Sequence, residues 1–333
     1  MPPHFTHLSE HSREEILALV ETAIKVKKIP PQDKPLAGKS LAFCFMNPSL
    51  RTQVSFEVAT VQLGGHAVVL SLGKDTWQVE SEDGVVMDGA AAEHLREAVP
   101  VLSRYCQALA LRSFPSGKTW EEDKSEPYLT AFKKHATVPV INLESATGHP
   151  CQALADLMTI RERMNPKGKN FLLAWAPHIK SLPMAVPNSA VEIAALAGMN
   201  VTIARPPGFD LAPEVMRRVE ASCAARGGKL RVTDDASAAY DGAHVVYAKS
   251  WGSISRYGEP LPTDAAFRAK WMVTPEKMAR GDAALFMHCL PVRRNLVVRD
   301  EVLDGPQSVV IDQAENRLHT AKAVLLKLIN GGN

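Results

Sequence analysis

The chain of 333 residues has few cysteines and almost no excess of charge. Its five cysteines are an odd number and form no CxxC pair, which argues against a disulfide framework and against a zinc site. A formal net charge of +2 gives no reason to expect nucleic acid or an acidic membrane surface as a partner. No run approaches the roughly 18 apolar residues of a membrane-spanning helix, and the start lacks a basic stretch followed by an apolar core. We therefore expect free thiols, no metal, no nucleic-acid or membrane partner, and a cytoplasmic location.

The sequence also lacks the common nucleotide-binding loops. A dinucleotide-binding dehydrogenase would carry G-x-G-x-x-G after a strand, but the strand-like stretch at 171–176 leads into Pro177 and His178 instead. A Walker lysine loop is absent as well. These absences leave a dinucleotide-dependent dehydrogenase as an unfavoured alternative.

Alternating strand-like and helix-like segments run along the whole chain, which is typical of parallel sheets with crossover helices. At 333 residues about two domains are expected. The pattern therefore predicts an α/β protein with two doubly wound parallel-sheet domains and a cleft between them. We expect a first domain over residues 1–147, completed by a C-terminal helix at 314–333, and a second domain over 148–313. The pattern also predicts a helix over 90–105 and a strand over 308–311.

One strand–turn–helix stretch stands out near the start of the first domain. Residues 39–45 are short and apolar, as in a buried strand, and residues 54–63 have apolar residues at helical spacing. The turn between them contains Ser49, Arg51 and Thr52, placed where a helix N-terminus offers unpaired amides and a positive dipole end. The turn is thus a candidate phosphate site, although Ser49 or Thr52 as a plain helix cap explains it equally well.

Further polar residues follow other predicted strands, at the sheet edge where ligands of such folds bind. Alternatives stay open for two of them, because His149 also suits a helix cap and Cys289 also suits an inert buried thiol. Trp77 is a large aromatic in a turn-rich segment, which often marks a contact with a ligand or another subunit. The candidates at strand ends and nearby are Arg112, Glu144, His149, Gln152, His178, Lys249, Cys289, Leu290, Arg293 and Arg317.

Five spaced motifs together resemble the carbamoyltransferases that use carbamoyl phosphate, over almost the whole chain. They are Asn47-Pro48-Ser49-Leu50-Arg51-Thr52 with Ser55-Phe56-Glu57, Arg112, His149-Pro150-Cys151-Gln152, His288-Cys289-Leu290-Pro291, and Glu315-Asn316-Arg317. The His-Cys-Leu-Pro motif is similar to the ornithine branch rather than the aspartate branch. Further stretches resemble the enzymes that carbamoylate N-acetyl- or N-succinylornithine: Trp77, Met87-Asp88-Gly89, Glu144, Trp175-Ala176-Pro177-His178 and Tyr247-Ala248-Lys249-Ser250-Trp251.

Lys249 makes chemical sense within this resemblance. The enzymes for free ornithine carry an aspartate at this position, which suits a cationic α-amino group. In an acylated ornithine the α-nitrogen is a neutral amide while the carboxylate remains, so a lysine fits better. Lys249 therefore argues against free ornithine, which remains a more distant alternative.

Ala92 bears on the choice of acyl group. The acetylornithine enzymes have a glutamate at the position of Ala92 and a carboxylated lysine at that of Val297, and both are absent here. A glutamate would repel the extra carboxylate of a succinyl group, whereas Ala92 would not. We expect N-succinylornithine as the acceptor, with N-acetylornithine as the alternative. Gln53 and Gly148 are further departures from the relatives.

The resemblance implies roles for the candidates. It implies a carbamoyl phosphate site made by Ser49, Leu50, Arg51, Thr52, Trp77, Arg112, His149, Gln152, Cys289, Leu290 and Arg317, among which Arg51, Thr52, Arg112 and His149 are catalytic. It implies acylornithine contacts at Glu144, His178, Lys249 and Arg293, with Ala92 at the acyl group.

Arginine biosynthesis, the absence of any metal or cofactor, a knot in the second domain, and a homotrimer in which Trp77 reaches a neighbouring subunit's site are also implied. The alternative to an enzyme is a member of the fold that only binds ligands.

Overall fold

Strands and helices alternate through the chain, and they group into two units. The computed structural model describes residues 3–330. One unit comprises Met1–Ser116, Glu121–Leu154 and Arg317–Asn333, and the other comprises Gly117–Trp120 and Ala155–Asn316. Residues 1–2 and 331–333, which belong to the predicted domain ranges, lie outside the described residues.

The first unit is built on a parallel sheet of four strands. The strands are β1 (Ser40–Phe45), β2 (His66–Ser71), β5 (Ala108–Arg112) and β6 (Val140–Glu144), in the order β2-β1-β5-β6. Both β5 and β6 are buried along their whole length, and β1 is buried in all but its first residue. Continuous apolar runs of this kind are what a sheet covered on both faces requires. Because all four strands are parallel, their carboxyl ends lie at one edge.

The helices that lie wholly or partly in this unit are α1 (Arg13–Lys28), α2 (Leu50–Gln62), α3 (Leu95–Tyr105), α4 (Trp120–Lys124), α5 (Pro127–His135), α6 (Pro150–Arg163) and α12 (Val310–Asn330). The chain passes out of the first unit within α6 and returns to it within α12. A capping box joins Ser12 and Glu15 at the start of α1, and lysines occupy its last turn, which suits the helix dipole.

A small parallel sheet of two strands corrects one prediction in the first unit. It consists of β3 (Gln78–Glu80) and β4 (Ala91–His94). The helix predicted over 90–105 therefore begins only at Leu95, where the His94 side chain accepts a hydrogen bond from the amide of Arg96 as an N-cap. Alanines at 90–92 suit a helix by propensity, but pairing with residues 78–80 prevails.

The second unit has a parallel sheet of five strands. The strands are β7 (Asn170–Trp175), β8 (Asn200–Ala204), β9 (Leu230–Thr233), β10 (Val245–Lys249) and β11 (Leu285–Met287), in the order β11-β10-β7-β8-β9. Its helices are α7 (Ala185–Leu196), α8 (Pro213–Ala224), α9 (Ala265–Trp271), α10 (Pro275–Met278) and α11 (Asp300–Leu303). The predicted α/β class with two doubly wound parallel-sheet units is confirmed.

The prediction of a strand over 308–311 is wrong. Ser308 forms an isolated bridge with Phe286, and the chain turns into α12 at Val310. Ile311 is 73% exposed, whereas Val309 and Val310 are buried. An apolar tetrapeptide is ambiguous between strand and helix, and here it is the entry to the last helix.

His7 helps to anchor the segment before α1 in the first unit. Phe5 forms a bridge with Ile141 of β6, and the His7 ring lies 3.1 Å from the Glu126 carboxylate and 3.9 Å from that of Glu10. Burial lowers the pKa of His7, but the bonds to both carboxylates outweigh it and raise the pKa to about 9. Glu10 also binds Lys133 at 2.6 Å. His7 is thus a cation at neutral pH.

This ion pair gives a pH dependence of stability. Because the pKa of His7 rises on folding, its stabilisation is fully present below about pH 6.5 and is lost as the pH rises through about 9. We expect the free energy of unfolding in urea to exceed that of His7→Gln by roughly 2–3 kcal/mol at pH 6.5 and by much less at pH 9.5. An equal difference at both pH values would contradict the assignment.

Two further properties concern the described residues as a whole. Within 3–330, none of the helices has the length and apolar character to cross a membrane. The five cysteines are free, and Cys44, Cys106, Cys151 and Cys223 are buried. Burial raises the pKa of the Cys44 and Cys151 thiols to about 12, so neither is a thiolate at neutral pH.

Candidate active site

The turn between β1 and α2 is a helix N-terminus, as predicted. Ser49 is the N-cap of α2 and its hydroxyl accepts a hydrogen bond from the Thr52 amide at 3.3 Å. The cap interpretation of Ser49 is therefore correct, but it does not exclude a phosphate site. A cap satisfies only one of the first amides, and the positive end of the helix dipole remains at the turn.

Arg317 joins this turn to α6. Its guanidinium donates to the Thr52 hydroxyl at 3.1 Å and to the Gln152 side-chain oxygen at 2.6 Å. All three residues belong to the first unit and are at most 3% exposed. Three predicted site residues, which are far apart in the chain, are thus in direct contact, and the arginine adds a buried positive charge beside the N-terminus of α2.

Three more predicted residues form a second cluster in the first unit. Arg112 ends β5 and Glu144 ends β6, and Arg112 Nη1 donates to Glu144 Oε2. The same carboxylate oxygen lies 3.6 Å from His149 Nε2. The Arg112 guanidinium also stacks on the ring of Phe114, 4.4 Å from its centroid. All of these charged groups are buried, so the carboxylate of Glu144 balances the guanidinium charge away from water.

The loops that carry these clusters are tied together. The Met46 amide donates to the carbonyl of Arg112 at 3.0 Å, and the Asn47 side chain accepts from the Phe114 amide at 2.7 Å. The turn before α2 and the loop after β5 therefore share hydrogen bonds at the carboxyl edge of the sheet, where such folds bind ligands.

Trp77 and Ala92 lie on the surface of the first unit. Trp77 is 59% exposed, and its indole N–H donates to Glu93 Oε2 at 2.8 Å. Ala92 is exposed in β4, next to Glu93 in sequence. Sequence reasoning missed Glu93, since one glutamate in a polar segment carries no signal of a partner 16 residues away.

The second unit collects the predicted acylornithine residues other than Glu144. Lys249 ends β10 and is 8% exposed, and Arg293 Nε donates to His178 Nε2 at 3.2 Å. Burial and the positive charges of Lys249 and Arg293 lower the pKa of His178. His178 is then neutral at pH 7, and its Nδ1 lies 3.0 Å from the Lys180 carbonyl oxygen and 3.2 Å from the Lys180 amide nitrogen. Two cations around a neutral imidazole favour an anionic ligand.

The His-Cys-Leu-Pro segment follows β11 in the same unit. His288 Nδ1 accepts from the Leu290 amide at 2.9 Å, and the His288 amide donates to the Gln313 side chain at 3.0 Å. Gln313 also binds Asp156 at 2.6 Å, and all three side chains are buried. The histidine thus shapes the turn carrying Cys289 and Leu290. Sequence reasoning missed Gln313, which lies between the strand predicted over 308–311 and the helix predicted from 314.

Comparisons with known proteins agree with this geometry. Residues 3–162 match the family model described as aspartate/ornithine carbamoyltransferase, carbamoyl-P binding domain, and residues 184–328 match the one described as Asp/Orn binding domain. The chain is 42% identical to the N-acetylornithine carbamoyltransferase of Xanthomonas campestris pv. campestris, covering 98% of this chain and 97% of the relative. It is 39% identical to the N-succinylornithine carbamoyltransferase of Bacteroides thetaiotaomicron, covering 88% of each.

Solved structures agree as well. A crystal structure of acetylornithine transcarbamylase complexed with acetylcitrulline is 41% identical, with a TM-score of 0.94 over 98% of this chain and 99% of the other. Identity at this level over nearly full length confirms the family predicted from the motifs. The chain belongs to the aspartate/ornithine carbamoyltransferase family.

Proposed function

We propose that this protein transfers the carbamoyl group of carbamoyl phosphate to the δ-amine of an N-acylated ornithine, giving N-acylcitrulline and phosphate. The observation that carries the proposal is Lys249, a buried lysine at the end of β10 with His178 and Arg293 as charged or polar neighbours. A cation there suits the α-carboxylate of a substrate whose α-nitrogen is a neutral amide. Relatives named for N-acetyl- and N-succinylornithine support the same acceptor class.

The first unit supplies most of the carbamoyl phosphate contacts in this proposal. Ser49, the Leu50 amide, Arg51 and Thr52 hold the phosphate at the N-terminus of α2, with Arg317 adding positive charge. Arg112, His149 and Thr52 face the carbonyl oxygen. Gln152 binds the carbamoyl amide nitrogen. The first unit then acts as the carbamoyl-phosphate-binding domain.

The second unit acts as the acylornithine-binding domain. His178, Lys249 and Arg293 contact the acceptor, and Glu144 of the first unit does so as well. The backbone carbonyls of Cys289 and Leu290 accept from the carbamoyl amide. Arg112 Nη1 donates to Glu144, which holds the guanidinium at the carboxyl ends of β5 and β6.

The reaction follows from these contacts. The δ-nitrogen attacks the carbonyl carbon, negative charge grows on the carbonyl oxygen, the carbon–oxygen bond to phosphate breaks, and the departing phosphate takes the proton from the amine. Arg112 and His149 stabilise the oxyanion, and losing one such donor typically costs about 2.7–4 kcal/mol of barrier. Positioning and preorganised charge provide the acceleration, with no step assigned to a metal or organic cofactor.

N-succinylornithine is the acceptor we favour, on the basis of Ala92. A small neutral side chain leaves space and no like charge for the succinyl carboxylate. In support, a variant of N-acetyl-L-ornithine transcarbamylase with one glutamate changed to alanine was crystallised with carbamyl phosphate and N-succinyl-L-norvaline. N-acetylornithine is the second candidate, because relatives with that name match the chain over nearly its full length.

A phosphate-release assay tests the function directly. Purified protein with carbamoyl phosphate and N-succinylornithine should release phosphate and form a ureido product, and free ornithine should react far more slowly. No release with either acylornithine would favour the alternative of a non-catalytic ligand-binding member of the fold.

Lys249→Ala tests the assignment of the acceptor carboxylate. Loss of one charge-assisted contact should raise the KM for the acylornithine by roughly tenfold or more, since hydrogen bonds to charged groups contribute about 1.5–3 kcal/mol. The KM for carbamoyl phosphate should change little. Steady-state kinetics with each substrate varied in turn measures both. An equal rise in both KM values would show that Lys249 does not distinguish the substrates.

We also propose the cell biology that the resemblance implies. The protein would act in arginine biosynthesis in the cytoplasm, as a homotrimer in which Trp77 reaches the carbamoyl phosphate of a neighbouring subunit. The 59% exposure of Trp77 supports this arrangement, because a large aromatic side chain on the surface favours burial in an interface. Light scattering of the purified protein tests the trimer.

A further inference from the structure

An ion pair between half-buried His7 and buried Glu126, outside the candidate site, packs against the turn that leads to His149. Glu126 Oε2 lies 3.1 Å from His7 Nε2, and the other oxygen of the same carboxylate accepts hydrogen bonds from the amide and the hydroxyl of Thr147, each at 2.8 Å. The Glu126 side chain is 7% exposed and that of His7 is 24% exposed. Both residues belong to the first unit. One carboxylate therefore joins the segment before α1 to the turn after β6.

The conformation of Glu126 does not stabilise α5, the helix that it precedes. It precedes α5 with φ 49° and ψ 58°, a left-handed conformation that is unfavourable for a residue other than glycine. As N-cap of α5 it makes no side-chain capping bond. Its carboxylate accepts hydrogen bonds from Thr147 instead. These contacts with the turn compensate the energetic cost of the left-handed backbone conformation.

Gly148 fits the His7 ring directly. A Cβ atom at this position would lie 2.7 Å from His7 Cδ2, closer than carbon atoms approach each other. The Gly148 carbonyl closes the turn by accepting from the Ser145 amide at 3.0 Å and from the Asn142 side chain at 3.3 Å. His7 thus rests on the residue immediately before His149.

The two ends of this turn carry groups of the proposed mechanism. Glu144 precedes the turn and His149 follows it, and their side chains are 3.6 Å apart. Because Thr147 and Gly148 are fixed from outside by Glu126 and His7, a displacement there moves His149 relative to Glu144 and Arg112. Misplacement of about 1 Å can cost on the order of a hundredfold in rate.

We propose that His7 and Glu126 are positioning residues for His149: their ion pair holds the turn at 145–148 so that the imidazole faces the carbonyl oxygen of carbamoyl phosphate. The proposal rests on the proposed function. Neither residue touches a reacting atom, and each acts through Thr147 or Gly148.

Three variants test this, with kinetics at a temperature where circular dichroism shows each to be folded. Glu126→Ala should lower kcat by about tenfold or more with KM for the acylornithine nearly unchanged. His7→Gln should act in the same direction. Glu126→Gln keeps an oxygen for Thr147, so it should lose less activity than Glu126→Ala. A purely structural role would lower the melting temperature of all three and leave the kcat of folded protein at the wild-type value.

Glu10→Gln is the matched control. It removes the other carboxylate beside His7 but no contact with the turn, so its kcat should stay near the wild-type value. A loss of kcat in Glu10→Gln as large as in Glu126→Ala would overturn the proposal, because the turn would not be the element through which His7 acts.

A measurement without substrate separates this proposal from the proposed function. The imidazole nitrogen signals of His149 in NMR spectra, assigned with His149→Asn, should shift in Glu126→Ala and remain in place in Glu10→Gln. If the wild-type protein transfers no carbamoyl group, the proposed function fails while this measurement still reports on the turn. Unchanged His149 signals in Glu126→Ala would refute the positioning role.

Discussion

Arg51→Ala abolishes carbamoyl transfer in a protein that still folds, with an expected loss in kcat/KM of about 10²–10³-fold or more. Arg51 is the second residue of α2, in the first turn, where the dipole and the early amides already favour an anion. Its guanidinium adds a fixed charge and paired donors that match a phosphate. Removing it takes away charge neutralisation at the leaving group, which matters most as the bond to phosphate breaks.

The fold should survive this change, because Arg51 is only half-buried and the core contacts of α2 come from residues such as Phe56. Circular dichroism and thermal unfolding establish that the variant is folded. Arg104→Ala, which removes an exposed arginine from α3, is the control for a general effect of charge loss. A folded Arg51→Ala protein with near-normal turnover would refute the phosphate assignment.

The second large effect expected is a change of acceptor. Ala92→Glu should lower kcat/KM for N-succinylornithine by about tenfold or more and should spare N-acetylornithine. Two like charges about 4 Å apart repel by roughly 1 kcal/mol in water and 4 kcal/mol at an effective dielectric constant of 20. These energies correspond to about fivefold and nearly a thousandfold, and the exposure of residue 92 favours the lower part of this range.

Ala91→Glu is the matched control for that switch. A glutamate at 91 adds the same charge to the neighbouring residue of β4, which is not the residue proposed to face the acyl group. It should leave the ratio of the two acceptors unchanged. Preference of the unmodified protein for N-acetylornithine would refute the interpretation of Ala92, whatever the variants do.

Much of the architecture was predictable because local signals agreed with the fold. The capping box of α1 and its ordered charges specify a helix by themselves. Buried strands such as β1 and β5 are apolar along nearly all their length. Where propensity and pairing disagree, the prediction failed: residues 91–94 form a strand because residues 78–80 are available to pair with them.

The residues of the site also differ in how far the sequence predicts them. Ser49 to Thr52 could be recognised locally, since a strand, a turn and a helix start are adjacent in sequence. Contacts such as that between His7 and Glu126 join residues more than a hundred positions apart, and a single sequence has no period or spacing that links them. Charged residues that stabilise a turn from a distance are therefore found only when the fold is known.

The place of Arg317 has a consequence for how the protein is made. Arg317 contacts Thr52 and Gln152, yet it lies in α12, the last helix among the described residues 3–330. A ribosome completes every strand of both sheets before it adds this residue. The first unit therefore stays unfinished until the strands of both sheets have been synthesised, and it cannot assemble its arginine-bound turn before then. Nascent chains truncated before residue 310 should accordingly lack the contact between Arg317 and the turn before α2 while they carry all strands of both sheets.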